Sequence, residues 1–554
     1  MAHNPDIPRN RTRTLLWLES ALLMAVVLWL YRQTPSFEFS CMDDSAMVYN
    51  NPHIRSLSLH SLWAMLVDAP MSNWVPLTYL TFALEHQAVG FQPWLYHLTN
   101  NLLHALNGVV IVFLFYRLLG IAFAGRSIGG NRLAWGAGVG ALLFVIHPLR
   151  VESVAWITER KDLLFMIFYS LGLLAYLKYR ETEDGRPMDS RFLRNRWWWL
   201  VLGSFVLSGL SKGMAVSFPL ALLILDYWMG RKDWVGAVRE KMPFFACSAL
   251  IALMTIIVAK SGIVSFLEVV PVQERILRAF YALGFYFEKT LVPVGLTPMY
   301  VIDRAGQGNG YLMISAVATF LLLCVGLWWG NRSVRASIVF FGLTALPILG
   351  LFQLGIQETA DRFTYLPTLW IYLWLAAGIV WCLGSQVNRL AQAGILTAVA
   401  LYFCWMLMLT GRLIPIWKNP YTMWDHQIRV LPQSYFYIFA GDHAMSRGEF
   451  RTGLDYYLGA VRFNPKDQMA YLKVSVTLIQ LGKTDEARPF LEKCLTLNPR
   501  NATALWMLSA MEGDPSRQER LFRQAVALDP GLWHNPHPVR EKIRQEALRS
   551  RKPR

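Results

Sequence analysis

The chain has 554 residues, 54% of them hydrophobic and only 16% charged, where a soluble domain carries about 25% charge. A mean hydropathy of +0.32 and a 14% share of Trp, Tyr and Phe exclude an ordinary soluble globule and suit a bilayer as solvent, with aromatic belts at its faces. The net charge of +16 does not imply nucleic acid as a partner, because Lys and Arg sit mostly in loops between apolar runs and only the tail 540–554 offers a soluble basic surface.

Crossing the hydrocarbon core takes about 20 apolar residues. Eleven stretches qualify, several near the short limit, centred on 14–32, 97–119, 134–148, 162–179, 197–211, 213–230, 243–260, 311–329, 335–353, 367–384 and 393–412. Arg9, Arg11 and Arg13 precede the first stretch and place the N-terminus in the cytoplasm. Basic loops then recur on every second side, at 117–132, 178–196, 231–241, 332–335 and 389, as eleven spans require. The apolar segment 276–293 is interrupted by Glu288 and Lys289 and ends at Pro293. A crossing there would invert every later loop, so it reads as an interfacial or re-entrant helix inside an outer loop, 261–310. The expected location is the inner (cytoplasmic) membrane, multi-pass.

The outer loops hold the residues with chemical potential. The first, 33–96, carries Asp43-Asp44, then Tyr49 and Asn51, then Leu59, Leu62, Trp63 and Leu66 at the spacing of a surface helix, then Trp74. The second runs from His147, Arg150 and Glu152 through Trp156 to Glu159-Arg160-Lys161-Asp162, and a tight junction holds Lys212. A later loop carries Glu358, Asp361, Arg362 and Tyr365. Arg160, Lys161, Lys212 and Arg362 run against the positive-inside bias, which makes them candidates to bind a lipid-linked phosphate. Each also has a structural reading. Asp43-Asp44 also suit a solvated loop or a cap, Arg362 also suits an ion pair with Asp361 or Glu358, and Lys161 also suits snorkelling. The histidines also suit hydrogen bonding in the core, and Trp74 and Trp156 also suit interface anchoring. The six cysteines, Cys41, Cys247, Cys324, Cys382, Cys404 and Cys494, show no metal-ligand spacing and read as small hydrophobes.

From about Leu431 the composition becomes soluble. Gly448 and Gly482 stand 34 residues apart, as do Pro465 and Pro499, and a third, shortened unit ends at Asp529-Pro530. That period is the tetratricopeptide period. The expected division is a transmembrane domain at 1–415, repeats at 431–533 and a basic tail at 534–554, with the repeats on the extracytoplasmic side. Such stacks bind peptides in a concave groove; a spacer or dimer surface is the structural alternative.

Six segments, "DDSAMVYNNPHI", "NWVPLTYLTFAL", "YHLTNNLLHALN", "HPLRVESVAWITERKDLL", "LSKGMAVSFPLALLILDYW" and "ADRFTYLP", run in order over 43–367 ahead of the repeats. Taken together the chain resembles the tetratricopeptide-containing membrane glycosyltransferases, bacterial relatives of the eukaryotic O-mannosyltransferases of that architecture. The resemblance implies an all-α fold: a polytopic GT-C-type helical domain followed by an α-solenoid. It also implies a sugar donor on a polyprenyl phosphate, with a catalytic carboxylate from the first-loop acid pair. By position Asp43 is the base and Asp44 stands beside it, while Glu152 matches the second-loop acid loosely. Where relatives often read Trp-Arg-Pro-Leu-Thr, this chain has Trp74-Val75-Pro76-Leu77-Thr78, so any phosphate contact from that Arg must come from another cation.

These readings converge on transfer of a monosaccharide to a hydroxyl acceptor, a protein Ser or Thr, by direct inverting displacement. Asp43 and Asp44 are the catalytic candidates, and Lys212, Arg362, Arg160 and Lys161 the phosphate-binding ones. Glu152, Arg150 and His147 are second-loop substrate candidates, and Tyr49, Asn51, Trp74 and Tyr365 are sugar or acceptor contacts. No cofactor is required, and a divalent metal bridging acids and phosphate is admissible. The competing readings are a transporter or flippase for a lipid-linked sugar, which predicts charges buried mid-span, and a non-catalytic membrane scaffold working through its repeats.

Overall fold

The computed structural model describes residues 9–68, 70, 73–182, 193–269, 271–300, 309–351, 357, 359–384 and 388–536, with backbone alone at 9, 259–269, 309 and 311. Glu358, most of the loop 178–196 and the tail beyond 536 lie outside these. The described residues are helical, without a strand; one isolated antiparallel bridge joins Tyr300 and Thr359. They divide into two compact units, Met1–Asn419 and Pro420–Arg554.

In the first unit the helices are α1 (Arg9–Leu30), α2 (Leu59–Val67), α3 (Pro76–Val89), α4 (Pro93–Ala122), α5 (Gly130–Ile146), α6 (Val151–Ala155), α7 (Arg160–Thr182) and α8 (Arg196–Ser211). They continue as α9 (Phe218–Met229), α10 (Trp234–Val269), α11 (Val272–Leu291), α12 (Asn309–Trp329), α13 (Arg332–Ala345), α14 (Leu369–Gly384) and α15 (Arg389–Leu413). Each of the eleven apolar stretches falls on a helix or a helix with its flanking turn.

Length gives a smaller count of crossings than eleven. Six helices are long and apolar enough by themselves: Asn10–Ser36, Pro93–Ala122, Ile157–Thr182, Trp234–Val258, Leu312–Trp329 and Arg389–Lys418. The pair Gly130–Ile146 and Pro148–Ala155, bent by 59°, makes a seventh. The bend is chemical: Pro148 has no N–H to continue α5, and His147 before it takes the extended ψ of 136° that a following proline favours. α8, α13 and α14, at 16, 14 and 16 residues, are shorter than the hydrocarbon core requires. They nevertheless pack in the bundle, α8 along α7 and α14 along α5. α11, which covers most of 276–293, is not among the crossing candidates; Arg278 and Glu274 pair along its side.

Close helix contact depends on small residues, as it does in membranes. At Gly140 of α5 an added Cβ would lie 2.7 Å from the Cβ of Ala376 and 3.0 Å from the Tyr372 carbonyl of α14. At one end of the bundle, α7, α9 and α10 are clamped by a buried ionic group. Asp226 Oδ2 meets Lys241 Nζ at 2.6 Å and Arg231 Nη1 at 3.1 Å. Glu240 meets the same two cations at 3.2 and 3.0 Å. The Tyr176 hydroxyl donates to Asp226 Oδ1 (2.6 Å).

The second unit is a stack of helix pairs: α16 (Pro420–Val430), α17 (Ser434–Ser446), α18 (Phe450–Phe463), α19 (Gln468–Gln480), α20 (Thr484–Leu497), α21 (Ala502–Ala510) and α22 (Pro515–Leu528). The repeat glycines explain themselves here. Gly448 and Gly482 take left-handed φ of 76° and 75° in the turns α17–α18 and α19–α20, where a side chain is strained. Asp467 and Asn501 cap α19 and α21 through side-chain oxygens. Small residues Ala460, Ala470, Ala487 and Ala504 sit fully buried where the helices touch.

Candidate active site

The acid pair lies just before a short π-helical turn, Ser45–Tyr49, in the long loop between α1 and α3. Its two members have opposite surroundings. Asp44 is 1% exposed. Its Oδ2 accepts the Ser40 N–H (2.7 Å) and its Oδ1 accepts the Thr158 N–H (3.1 Å), tying the first loop to the segment before α7. Burial pushes its carboxyl up to about 7, against the pull of those two N–H donors. Asp43 keeps its side chain 24% exposed, and its recorded cation contact is a long one, 3.9 Å from Lys161 Nζ.

Around Asp43 lies an alternating network of charge. Lys161 Nζ pairs with Glu159 Oε1 at 3.0 Å, and Glu159 also takes Arg362 Nε at 3.3 Å. Arg362 Nη1 pairs with Glu152, whose Oε2 accepts the Arg362 backbone N–H at 2.8 Å. Arg362 Nη2 donates to Gln357 Oε1 (2.5 Å). Lys212 pairs with Asp162, whose other oxygen accepts the Ser153 hydroxyl (3.2 Å). Trp156 lies under these cations: Arg362 is 5.2 Å and Lys161 5.9 Å from its ring, and Trp417 stacks on it at 5.6 Å. Phe363 carries Arg362 at 4.9 Å and Lys212 at 5.7 Å. Three cations and three carboxylates thus balance before Asp43 is counted.

The structure sorts the expected site residues. Asp43, Asp44, Glu152, Lys161, Lys212 and Arg362 come together. Arg160 does not join them, although it adjoins Lys161 in sequence. Successive residues of an α-helix point about 100° apart, and Arg160 points into the fold, fully buried. Its Nη1 pairs with Glu85 (2.6 Å), its Nε donates to Asn100 Oδ1 (2.8 Å) and its Nη2 to the Tyr96 carbonyl (2.8 Å). Arg150 is buried against Phe144, Tyr365 and Tyr372, donating to the Thr368 and Tyr372 hydroxyls.

His147 contacts the Thr290 carbonyl through Nε2 (3.0 Å) and accepts the Leu149 N–H. Asn51 caps the turn Pro52–Arg55, and Tyr365 hydrogen-bonds His104 Nδ1 at 2.6 Å. All four are internal supports rather than members of the charged network. Trp74 donates to the Leu66 carbonyl (2.8 Å) and Tyr49 packs on Phe39; both are partly exposed.

Glu159 and Asp162 were overlooked as site residues, though their signal was visible: they flank the cations in Glu159-Arg160-Lys161-Asp162. Glu85 and Trp417 carry no such signal and emerge from packing alone. The expectation that charges keep to span ends has an exception in Glu19 of α1, whose carboxylate lies against Gly138 with neither oxygen hydrogen-bonded. Among the described residues no three His, Cys, Asp or Glu gather as metal ligands.

Comparison with known proteins places the chain among relatives. The tetratricopeptide repeat family matches residues 470–501. Mouse Protein O-mannosyl-transferase TMTC3 is 21% identical over 583 residues, covering 92% of this chain and 60% of that protein. Mouse Protein O-mannosyl-transferase TMTC2 is 32% identical over 195 residues, 34% of this chain and 21% of that protein. Drosophila melanogaster Protein O-mannosyl-transferase Tmtc2 is 30% identical over 237 residues, 40% of this chain and 23% of that protein. The chain therefore spans 60% or less of these relatives' own length. No solved structure matches. The chain is thus a tetratricopeptide-containing relative of membrane glycosyltransferases.

Proposed function

We propose that this protein moves a monosaccharide from a polyprenyl-phosphate donor to a hydroxyl of a protein acceptor, with Asp43 as the base. The relatives' names make mannose the first sugar to try. The observation that carries the reading is the division of labour in the acid pair. Asp44 spends both oxygens on backbone N–H groups of two segments and positions the loop. Asp43 stays partly open, beside a charged network that holds three cations.

In this mechanism the acceptor oxygen attacks the anomeric carbon from the face opposite the phosphate. The bond from that carbon to the phosphate oxygen breaks, and its electron pair leaves with the phosphate. The acceptor proton passes to an Asp43 oxygen. The anomeric centre inverts. A hydroxyl is a weak nucleophile, so the base has work to do, whereas phosphate leaves readily and needs no general acid.

Lys212 is the cation best suited to the leaving phosphate. It has three N–H bonds, and Asp162 is its recorded carboxylate partner. Arg362 has a donor on each of Glu152, Glu159 and Gln357, so it organises the network and contributes field. Lys161 stands between Asp43 and Glu159 and keeps Asp43 ionised. Arg160 is left out of phosphate binding because its nitrogens are spent on Glu85, Asn100 and Tyr96.

The network would face the extracytoplasmic side, opposite the basic loops, with the repeats presenting the acceptor in their groove. No cofactor enters this route; a divalent cation bridging Asp43 and the donor is its variant, read out by a chelator.

The test is sugar transfer from a polyprenyl-phosphate mannose to secreted-protein peptides, in membranes carrying wild type or Asp43→Asn. The reading expects transfer to vanish with expression and melting temperature unchanged. Full activity in Asp43→Asn would sink it. Removal of residues beyond 432 should impair peptide use more than donor binding.

A further inference from the structure

Far from the acid pair, two cavities join into one. α4 begins beside Arg160, where Asn100 takes its Nε, and runs 30 residues to Ala122, about 45 Å at the helical rise. At that far end a crevice of about 260 Å³ opens between the ends of α4 and α9, the start of α13 and the side of α14. Arg126 is in its wall, and no carboxylate is. Arg332 and Arg335 flank the wall residue Ser333 on the chain, which adds positive potential at the mouth.

The crevice continues into a larger cavity of about 770 Å³, walled by α11 to α14. The two share Val334, Ser337, Trp370 and Trp374. The polar groups at the seam are satisfied: the Trp374 indole N–H donates to Ser337 Oγ (2.8 Å) and that of Trp228 to Ser333 Oγ (2.9 Å). What remains for a ligand there is apolar surface, from side chains such as Leu322 and Phe287.

A cationic mouth with an apolar trough behind it matches one class of molecule. We propose that the joined cavity is a binding site for an anionic glycerophospholipid, with its phosphate at Arg126 and its acyl chains along α12 and α13. Basic pockets between membrane helices bind anionic headgroups, and a guanidinium can hold a phosphate through two parallel N–H bonds. Charge complementarity selects an anionic lipid over a neutral one. Distance from Asp43 selects a resident lipid over the donor, whose phosphate must reach the acid pair. The proposal needs only that the chain sits in a bilayer, so it stands or falls apart from the transfer reaction.

The test uses the full chain, delipidated in detergent and read by native mass spectrometry and melting temperature. Phosphatidylglycerol, phosphatidylcholine and a polyprenyl phosphate are added in turn. Phosphatidylglycerol should be retained and should raise the melting temperature, and phosphatidylcholine should do neither. Arg126→Glu should weaken phosphatidylglycerol retention at least tenfold. Leu322→Trp, on the exposed side of the trough, should weaken it without reversing headgroup preference. Equal retention of the two phospholipids, or an Arg126→Glu protein that binds as wild type does, overturns the site. Displacement of phosphatidylglycerol by equimolar polyprenyl phosphate overturns it too, since the trough would then belong to the donor's tail.

Discussion

Two buried ionic groups stand at different ends of the first unit, and they are built to different ends. Around Asp226 every carboxylate oxygen carries a recorded donor or cation. Asp226 Oδ1 has Tyr176 and Arg180, its Oδ2 has Lys241 and Arg231, and Glu240 has the same two cations. That group is closed and joins α7, α9 and α10. The group at Asp43 is as densely paired but ends in one carboxylate that is 24% exposed and whose recorded cation is 3.9 Å away. Charge density alone therefore does not mark a site. An acid left partly open beside a paired network does.

The comparison can be broken by experiment. The largest effect should come from Asp43→Asn, with transfer falling by about 10²–10⁴-fold, the worth of a positioned base, and stability unchanged. Lys241→Met should do the reverse. It leaves Asp226 and Glu240 short of a cation in a buried place, which costs about 3–5 kcal/mol, read as a lowered unfolding temperature in detergent. The surviving folded protein should keep its rate per molecule. Should Lys241→Met stop catalysis at full stability, the two ends have been assigned the wrong roles.

Lys212→Gln should act in between. Loss of one charged hydrogen bond of about 1.5–3 kcal/mol should raise the donor KM roughly ten- to a hundredfold while leaving acceptor KM alone. An acceptor effect instead would move Lys212 from the phosphate to the peptide.

The smallest effect concerns Asp44. Its carboxyl is pushed up to about 7 by burial, above the ordinary value near 3.9. The folded state therefore holds this proton where the unfolded state has released it. Its contribution to stability is present below about pH 4 and is lost as pH rises to about 7. Asp44→Asn should flatten melting temperature against pH across that window. A wild-type curve that rises there would mean Asp44 is ionised in the fold.

Much of the architecture was legible along the chain. Apolar runs must become helices in a bilayer because no water is there to take the backbone N–H and C=O groups, and each of the eleven runs did fall on helix. How many of them cross was not legible, because a proline break at 148 and helices of 14 to 16 residues depend on neighbours to be covered. The 34-residue period foretold the turns at Gly448 and Gly482, since a left-handed turn asks for glycine locally.

What the amino-acid order determined by itself was therefore local and periodic: helices, turns, the repeat and the presence of an acid pair between spans. What the tertiary structure alone decided was pairing. Arg160 and Lys161 are chain neighbours with opposite fates, because Glu85 lies 75 residues away in sequence yet 2.6 Å from Arg160 in space. Arg362 meets Glu152 across 210 residues. An ion pair falls off with distance in space and takes no account of distance along the chain, so only the fold could separate the carboxylate that holds a loop, Asp44, from the one beside it that stays open.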